Sequence, residues 1–432
     1  MSNLTNYNLL NRLRNLQLNI KVGIVGMGSM GKGLFYQSSV TPGIECVVMA
    51  DIKIERAIAC AQGMGRDYRV VNSVETMHET ISQKKIAVCE DGDLPARCEL
   101  VDVLIEASNS IAEAAQFSIT ALEHQKHLVL MNAEIDLIFG PYFLKLAQEN
   151  GVVYTSCDGD QHGVIKHLVY DLELWGFDLV MAGNIKGFLD RYSNPTKIVP
   201  EADMRHLDYK MATAYTDGTK LCIEMALVAN ALGLSPLVPG MHGPRVNHVK
   251  DVFNFFDFNA LWREQQPFVD YILGAEPSGG VFVIGYCNDE YQKSMLFYYK
   301  MGQGPFYLFY RPYHLCHIEA MTCVADVFLN RRSSLQPTHG FRTNVYAYAK
   351  RDICQGEKLD GIGGYTCYGL IENCALHKDY SGLPICLAEG VTLKRDISKD
   401  ERILMSDIHD VHDRFDFTLY TKAVECSIER QS

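Results

Sequence analysis

The sequence predicts an α/β protein in which residues 1–157 form a doubly wound parallel sheet, residues 158–338 a second α/β domain and residues 339–432 a small all-β domain. Three observations lead to this prediction. Apolar runs of strand length alternate with helix-like segments through the first part of the chain. The first of these runs is followed directly by a glycine-rich turn. Beyond residue 339 short apolar runs are separated by glycine turns, which is typical of a compact β domain.

The first predicted strand, Ile20–Val25, leads into a G-x-G-x-x-G turn and then into a helix-like segment. In the Rossmann dinucleotide-binding fold the first glycine of this motif permits a tight turn, the second lets a diphosphate approach the backbone, and the third lets the helix lie close to the strand. The amino end of the helix supplies unpaired N–H groups and partial positive charge. The turn residues predicted to bind the cofactor are Gly26, Met27, Gly28, Ser29, Met30 and Gly31.

The second predicted strand, residues 45–50, ends at Asp51, about 20 residues beyond the last glycine, where this fold places an acidic side chain on the adenosine ribose. A carboxylate there repels a 2′-phosphate, so Asp51 favours NAD as the cofactor. Lys53 and Arg56 lie close enough in sequence to compensate a phosphate, and NADP therefore stays an alternative.

The rest of the first domain continues the strand–helix alternation. Strands are predicted at residues 85–88, 101–107, 127–131 and 152–154, and helices at residues 111–123 and 141–150. Because ligands of parallel sheets bind beyond the carboxyl ends of the strands, the residues that follow these strands are functional candidates. The same residue types also occur as ordinary turn and capping residues, so both interpretations stay open. The candidates are Ala107, Ser108 and Asn132 for the cofactor, Asn132, Glu134 and Asp158 for the substrate, and Asp160 for catalysis.

Composition and charge narrow the class of partner. The net charge of −12 and the lack of a dense Lys/Arg stripe argue against nucleic acid and against anionic membranes, so a small-molecule substrate is expected. No stretch of the sequence reaches about 18 apolar residues without a charge, so no membrane span is predicted. The first residues lack the continuous apolar core of a signal peptide. The 14 cysteines include no C-x-x-C pair, which indicates reduced thiols and a cytoplasmic protein. No metal site is predicted, although His314 with His317, and His409 with His412, have metal-like spacings.

Five stretches together resemble the homoserine-dehydrogenase-like oxidoreductases that carry a C-terminal SAF domain, a small β-clip. They are residues 25–31, 128–134, 224–226, 240–245 and 311–315. The resemblance implies that residues 158–338 form the catalytic and dimerisation domain, that residues 339–432 form the SAF domain, and that the protein is a homo-oligomer.

One branch of that family is similar to deoxyxylulose-phosphate-reductoisomerase-like enzymes, which use NADPH. That branch carries Glu-Pro-Ser-Ser where this chain has Gln161 to Val164, and it has an Arg-rich loop where this chain has Asp51. Both differences argue against deoxyxylulose phosphate as the substrate.

The middle domain holds the remaining candidates. The resemblance places a lysine at Lys186, where a cation would protonate or polarise a substrate oxygen during hydride transfer. Glu224 lies on a helix predicted over residues 220–232, where it either points into the cleft or pairs with a neighbour. In the loop of residues 240–245, His242 is either a proton relay or a structural histidine, and Arg245 is suited to a carboxylate or phosphate. The predicted catalytic residues here are Lys186, His242 and Glu224, and the predicted substrate contacts are Arg245, Arg311 and His314.

These observations together predict an NAD(P)-dependent oxidoreductase that transfers a hydride between a nicotinamide and a small polar oxo or hydroxy metabolite. Two alternatives stay open. One is a reductoisomerase of the 1-deoxy-D-xylulose 5-phosphate type, and the other is a non-catalytic NAD(P)-binding sensor that retains only the Rossmann shell.

Overall fold

The structure is a computed structural model, and it describes residues 8–205, 207–374, 381–411 and 413–431. It divides into two compact units. Unit 1 comprises Met1–Gly163 and Leu315–Gln336, and unit 2 comprises Val164–His314 and Pro337–Ser432. Residues 315–336, which the sequence analysis placed in the middle domain, thus group with the amino-terminal part of the chain.

The strands, in chain order, are β1 (Ile20–Val25), β2 (Ile44–Ala50), β3 (Tyr68–Val70), β4 (Ile86–Cys89), β5 (Val103–Glu106), β6 (His127–Leu130), β7 (Tyr154–Ser156), β8 (Asp178–Lys186), β9 (Ser235–Pro236), β10 (Phe268–Leu273), β11 (Val281–Tyr286), β12 (Phe306–Arg311), β13 (Thr343–Ala349) and β14 (Cys367–Asn373).

The helices are α1 (Leu9–Arg14), α2 (Ser29–Val40), α3 (Ile54–Gly63), α4 (Val74–Ser82), α5 (Asp93–Arg97), α6 (Ala112–Glu123), α7 (Ala133–Glu149), α8 (Gln161–Leu174), α9 (Val199–Arg205), α10 (Tyr209–Thr216), α11 (Thr219–Leu232), α12 (Val252–Phe255), α13 (Phe258–Leu261), α14 (Glu290–Tyr298), α15 (Cys316–Leu329) and α16 (Phe415–Gln431). No helix in the described parts of the chain combines the length and the hydrophobicity that crossing a bilayer requires.

Unit 1 is built on a seven-stranded sheet in the order β3-β4-β2-β1-β5-β6-β7, and all of its strand pairs are parallel. The central strands β1, β5 and β6 are mostly apolar and mostly buried, as expected for a parallel sheet covered on both faces. β1 pairs with β2 on one side and with β5 on the other, so the strand order reverses between β1 and β5. This reversal is the topological switch point, beyond which open α/β sheets bind their ligands. The predicted α/β class and Rossmann-like sheet are confirmed.

The segment 315–336 joins unit 1 through direct contacts. Helix α15 packs on α2 where Gly33 has no side chain, because a Cβ there would lie 2.5 Å from the ring of His317. After α15 the backbone N–H groups of Ser334 and Leu335 donate to Thr155 Oγ1 on β7, at 2.9 and 3.1 Å. These contacts are distant in sequence, which is why no local pattern predicts them.

Unit 2 contains a five-stranded mixed sheet in the order β12-β11-β8-β10-β9. Strands β8, β9 and β10 are parallel, and β11 and β12 run antiparallel to β8 and β11 respectively. One face carries an aromatic and aliphatic core that includes Phe256, Phe258, Phe268 and Phe282. Helix α11, which begins after Gly218 and ends before Gly233, both with positive φ, packs against β8 and β10.

The C-terminal part of unit 2 consists of the antiparallel pair β13–β14, short isolated β-bridges and the helix α16, which the sequence analysis did not predict. A buried ion pair ties this part to the turn before α11. Lys350 Nζ lies 2.8 Å from Asp217 Oδ2 and donates to the carbonyls of Ser193 and Gly364, also at 2.8 Å. The buried ammonium is thus paired with a carboxylate and makes two hydrogen bonds to backbone carbonyls.

Candidate functional site

The glycine turn has the close packing that its sequence motif requires. Gly26 has a φ of +92°, and a Cβ on it would lie 2.5 Å from the backbone nitrogen of Ser108. A Cβ on Gly31 would lie 1.9 Å from the carbonyl oxygen of Gly26. Around Gly28 the opposite holds, because a Cβ there would meet no atom within 4 Å. The turn is thus fixed by Gly26 and Gly31, and it leaves open space above Gly28.

The amino end of α2 faces this open space without a protein cap. Gly28 is its N-cap residue, no side chain caps it, and its first turn carries no acidic residue. Gly28 and Ser29 are exposed, and Met30 is half-buried. A helix end of this kind, with its N–H groups and partial positive charge, suits a phosphate group. The predicted cofactor residues 26–31 therefore fit the diphosphate of a dinucleotide.

Asp51 follows β2 and is buried beside the glycine turn. Its Oδ2 accepts a hydrogen bond from the backbone N–H of Met27 at 2.7 Å, and its Oδ1 accepts one from Lys53 N–H at 2.8 Å. Each carboxylate oxygen keeps a second lone pair, which is what hydrogen bonding to ribose hydroxyls requires. Asp51 thus lies next to the predicted diphosphate position, as the sequence spacing indicated.

The loops after β5 and β6 meet at the switch point. Asn132 caps α7, since its Oδ1 accepts from Ile135 N–H at 3.3 Å, and its Nδ2 donates to the Ser110 carbonyl at 2.8 Å. Ser108 is half-buried and Glu134, in the first turn of α7, is buried. The capping interpretation of Asn132 is thus confirmed, and its cofactor role stays a prediction.

Glu106, the last residue of β5, is a carboxyl that the sequence analysis passed over. It is fully buried, its Oε1 accepts from Ser108 N–H at 2.8 Å, and its Oε2 has no hydrogen-bond partner among the described residues. Burial raises the pKa of Glu106 to about 8, and the nearby polar groups of Ser108 and Asn132 lower it less than burial raises it. An acidic residue that closes an otherwise apolar central strand was the sequence signal available for it.

Asp158 and Asp160 lie in the turn between β7 and α8. Asp158 is buried and its Oδ1 accepts from Gly159 N–H at 3.0 Å. Asp160 is half-buried, and its Oδ1 accepts from Gln161 N–H at 2.8 Å and from the Cys316 thiol at 3.6 Å. The turn interpretation of both aspartates is thus supported by their backbone hydrogen bonds, while their roles toward a substrate or in catalysis stay predictions.

In unit 2 the strand register brings several candidates to one face of the sheet. Lys186 at the end of β8 is level with Leu273 of β10, which is in turn level with Arg245. Arg311 at the end of β12 is level with Val281 of β11, and Val281 with Asn184 of β8. Because paired residues share a face and residues i and i+2 of a strand do too, Lys186, Arg245 and Arg311 lie on the same side. The register thus places three cationic residues on one face of the sheet, toward the same ends of its parallel strands.

Helix α11 lies on that same face. Tyr271, paired in register with Asn184, has its pKa raised to about 12 by burial, and Cys222 of α11 adds to the rise. Glu224 of α11 is buried. Asn184 is fully buried, and neither its Nδ2 nor its Oδ1 has a hydrogen-bond partner within the described chain. Buried amides are normally hydrogen-bonded, so Asn184 is unusual in lacking a hydrogen-bond partner among the described residues.

His242 lies elsewhere in unit 2, against a carboxylate that was missed from the sequence. Its Nδ1 is 2.9 Å from Oδ2 of Asp270, a fully buried residue of β10 that also accepts from the backbone N–H groups of His242, Gly243 and Tyr271. Asp270 is level with Gly183, so it faces the side of the sheet opposite to Lys186. The structure therefore does not bring the His242–Asp270 pair together with Lys186 on one face.

The remaining candidates are partly accessible. Arg245 is exposed, and the Arg311 guanidinium stacks over the ring of Tyr313 at 4.5 Å. His314 and His317 are half-buried. Near the C-terminus His412 lies outside the described residues, and Asp407 pairs with Arg395 at 2.8 Å. All 14 cysteines are free, and of these Cys354 is exposed and Cys316 half-buried.

Comparison with known proteins gives one family match and one curated relative. Residues 159–320 match a family model described as the catalytic domain of oxidoreductase DRL, and this stretch, less than half of the chain, contains Asp160, Lys186, Glu224 and His242. Homoserine dehydrogenase of Bacillus subtilis (strain 168) is 26% identical over 136 residues, which cover 31% of this chain and 28% of that protein. The chain thus spans less than a third of the length of the curated relative that it matches.

Partial similarity to solved structures extends to dehydrogenases and a reductoisomerase. A probable dehydrogenase from Thermotoga maritima is 10% identical, with a TM-score of 0.41 over 73% of this chain and 91% of that chain. The 1-deoxy-D-xylulose 5-phosphate reductoisomerase of Zymomonas mobilis, in complex with NADPH, is 14% identical, with a TM-score of 0.33 over 48% and 57%. Scyllo-inositol dehydrogenase of Lactobacillus casei, with NAD(H) and scyllo-inositol, is 14% identical, with a TM-score of 0.29 over 43% and 49%.

Proposed function

We propose that this protein is an NAD(P)-dependent oxidoreductase acting on a small polar oxo or hydroxy metabolite. The observation that carries the proposal is the glycine turn at the switch point of a parallel sheet, with an uncapped helix end, open space above Gly28 and the buried carboxylate of Asp51 beside it. The family match to an oxidoreductase catalytic domain over residues 159–320 supports it independently.

We assign the cofactor to residues of unit 1 and the substrate to residues of unit 2. In unit 1 the backbone of residues 28–30 would hold the diphosphate, Asp51 the adenosine ribose, and Ala107, Ser108 and Asn132 the nicotinamide end. When bound, the nicotinamide supplies or accepts the hydride. Asp51 favours NAD over NADP in this proposal.

In unit 2 we assign the substrate to the sheet face that carries Lys186, Arg245 and Arg311. Arg245 and Arg311 would hold an anionic or strongly polar group, and Lys186 would stabilise or protonate the substrate oxygen that gains negative charge. Glu224 is buried in α11 on the same face, and its negative charge would offset part of the positive charge of Lys186, Arg245 and Arg311. Asn132, Glu134, Asp158, Asp160, His242 and His314 stay as candidates for substrate contact or proton transfer.

Calorimetric titration of the purified protein with NADH and with NADPH tests the proposal. We expect saturable binding, tighter for NADH than for NADPH. If no heat of binding is measured with NADH or with NADPH, the proposed function is refuted. A strong preference for NADPH would refute the role given to Asp51.

A second candidate function, a non-catalytic NAD(P)-binding sensor, predicts the same binding but no turnover. The placement of Lys186, Arg245 and Arg311 on one face of the sheet disfavours it, because a protein that only binds the nucleotide has less use for charged residues at a substrate site. Turnover of any oxo or hydroxy metabolite in a broad panel excludes the sensor. A reductoisomerase of the deoxyxylulose phosphate type is tested by turnover of that substrate with NADPH.

A further inference from the structure

Glu106 occupies the centre of the switch point in unit 1. It closes β5, where it is level with Val25 of β1 on one side and with Leu130 of β6 on the other. Its side chain is fully buried. A carboxyl group in this position is costly unless it remains neutral or is paired, so its presence calls for a physical explanation.

Three loops meet around this carboxyl. The loop after β5 is held by Ser108 N–H, which donates to Glu106 Oε1 at 2.8 Å. The loop after β6 joins it through Asn132, which donates to the carbonyl of Ser110 at 2.8 Å. The glycine turn touches the same place, since a Cβ on Gly26 would lie within 2.6 Å of Ala107 and Ser108 backbone atoms. Glu106 thus bonds directly to the loop after β5, and that loop in turn contacts the glycine turn and the loop after β6.

The surroundings of Glu106 favour its neutral form. Burial is the largest cause that raises its pKa to about 8, and the charge of Glu134 adds to the rise. The charged groups on the neighbouring elements include the acids Glu134 and Asp136 on α7, Glu113 on α6, Asp51 after β2 and Asp93 on α5, and the cations Lys21 on β1, Lys32 on α2 and Arg97, which pairs with Asp93. With Oε1 accepting from Ser108, the proton of the neutral acid belongs on Oε2, which has no partner among the described residues.

We propose that Glu106 is a positioning residue: its buried carboxyl holds the loop after β5, and through that loop the glycine turn and the loop after β6, in the arrangement that binds the dinucleotide. The inference rests on the proposed function, because it assumes that these loops bind NAD(P)H. Glu106 acts through Ser108 and Asn132 and needs no contact with the cofactor.

The expected effect follows from linkage between ionisation and binding. A bound diphosphate places further negative charge near Glu106, which favours the neutral acid, and ionised Glu106 must therefore weaken binding by the same factor. A further rise of about one pKa unit corresponds to a Kd about tenfold higher for the ionised form. We expect the Kd for NADH to rise about tenfold between pH 6.5 and pH 9.5, the interval that brackets the titration.

The experiment is calorimetric titration with NADH across this pH range for the wild type and for Glu106→Gln. Glutamine keeps the shape and the hydrogen-bonding groups of the neutral acid but cannot ionise, so its Kd should change by less than about twofold over the range. Glu113→Gln is the matched control, because Glu113 is an exposed carboxyl that bonds to Ser110 on the same loop. It should retain the pH dependence of the wild type.

The outcomes separate this inference from the proposed function. A pH dependence that is equal in the wild type and in Glu106→Gln overturns the role of Glu106 and leaves the oxidoreductase proposal intact. Absence of NADH binding by the wild type at every pH overturns both. If Glu106→Gln fails to fold, the wild type labelled with 13C-glutamate gives the answer by NMR: a buried carboxyl that titrates near pH 8, and at higher pH with NADH, supports the inference, and one whose titration NADH does not move overturns it.

Discussion

Replacement of Gly28 by aspartate should stabilise the fold and strongly weaken dinucleotide binding. Gly28 has a φ of −72°, its Cβ would meet no atom within 4 Å, and it is the uncapped N-cap residue of α2, a position that aspartate favours. The free energy of unfolding should rise by about 0.3–1 kcal/mol from the new cap and its interaction with the helix dipole. The same carboxylate would occupy the proposed diphosphate position. At about 4 Å and an effective dielectric of about 20, repulsion from one phosphate charge costs about 4 kcal/mol, so binding should weaken at least about a hundredfold.

Urea unfolding and calorimetric titration with NADH measure the two effects on the same preparations. Gly63→Asp is the matched control, because Gly63 at the C-terminal end of α3 also has open space around its Cβ and lies in the same unit. It introduces the same charge and should leave NADH binding unchanged. Wild-type affinity in Gly28→Asp would refute the placement of the diphosphate at α2, and a loss of stability would refute the description of the helix end.

Four further predictions concern other parts of the molecule. Lys186→Met should lower turnover about a hundredfold or more while NADH binding is retained, because it removes the cation beside the reacting oxygen; near-normal turnover removes Lys186 from the mechanism. Asn184→Leu should raise the free energy of unfolding by about 1–3 kcal/mol in urea titration, since two buried polar atoms without partners are lost; destabilisation would show that the amide is satisfied. The folded-state pKa of Glu106, about 8, lies above its ordinary value of 4.5, so its contribution to stability is present below pH 4.5 and is lost as the pH rises to 8. The unfolding free energy of the wild type should therefore fall relative to that of Glu106→Gln by up to about 1.4 kcal/mol per pH unit in that window, and parallel curves would contradict this. Asp270→Asn should move the ring proton of His242 from Nδ1 to Nε2. The three backbone N–H groups donate to Oδ1, so the amide NH2 of the new asparagine takes the place of Oδ2 and donates to Nδ1. An unchanged 15N spectrum of the ring would count against the pair.

The sheet of unit 1 was largely predictable because its signals are local. The predicted strands at residues 20–25, 45–50, 85–88, 101–107 and 127–131 correspond to β1, β2, β4, β5 and β6. β3 was missed because it has three half-buried or exposed residues at the sheet edge, too few for a pattern. Helix α7 begins at Ala133, well before the predicted start at Pro141, because Asn132 is its cap and the proline is accommodated inside the helix.

The candidate site was only partly predictable, because its decisive contacts join distant residues. The glycine turn and Asp51 follow from a motif with fixed spacing, and the structure places them side by side. Asp270 lies 28 residues from His242 and sits in an apolar strand, so nothing near the histidine indicates its partner. The alignment of Lys186, Arg245 and Arg311 on one face depends on strand register, which the composition of the strands does not specify.

A crystal structure of the protein with bound NADH would test the central claim most directly. The account predicts density for the diphosphate at the amino end of α2, within hydrogen-bonding distance of the backbone N–H groups of residues 28–30, and the adenosine ribose at Asp51. A dinucleotide bound with its diphosphate anywhere else on the molecule would contradict it.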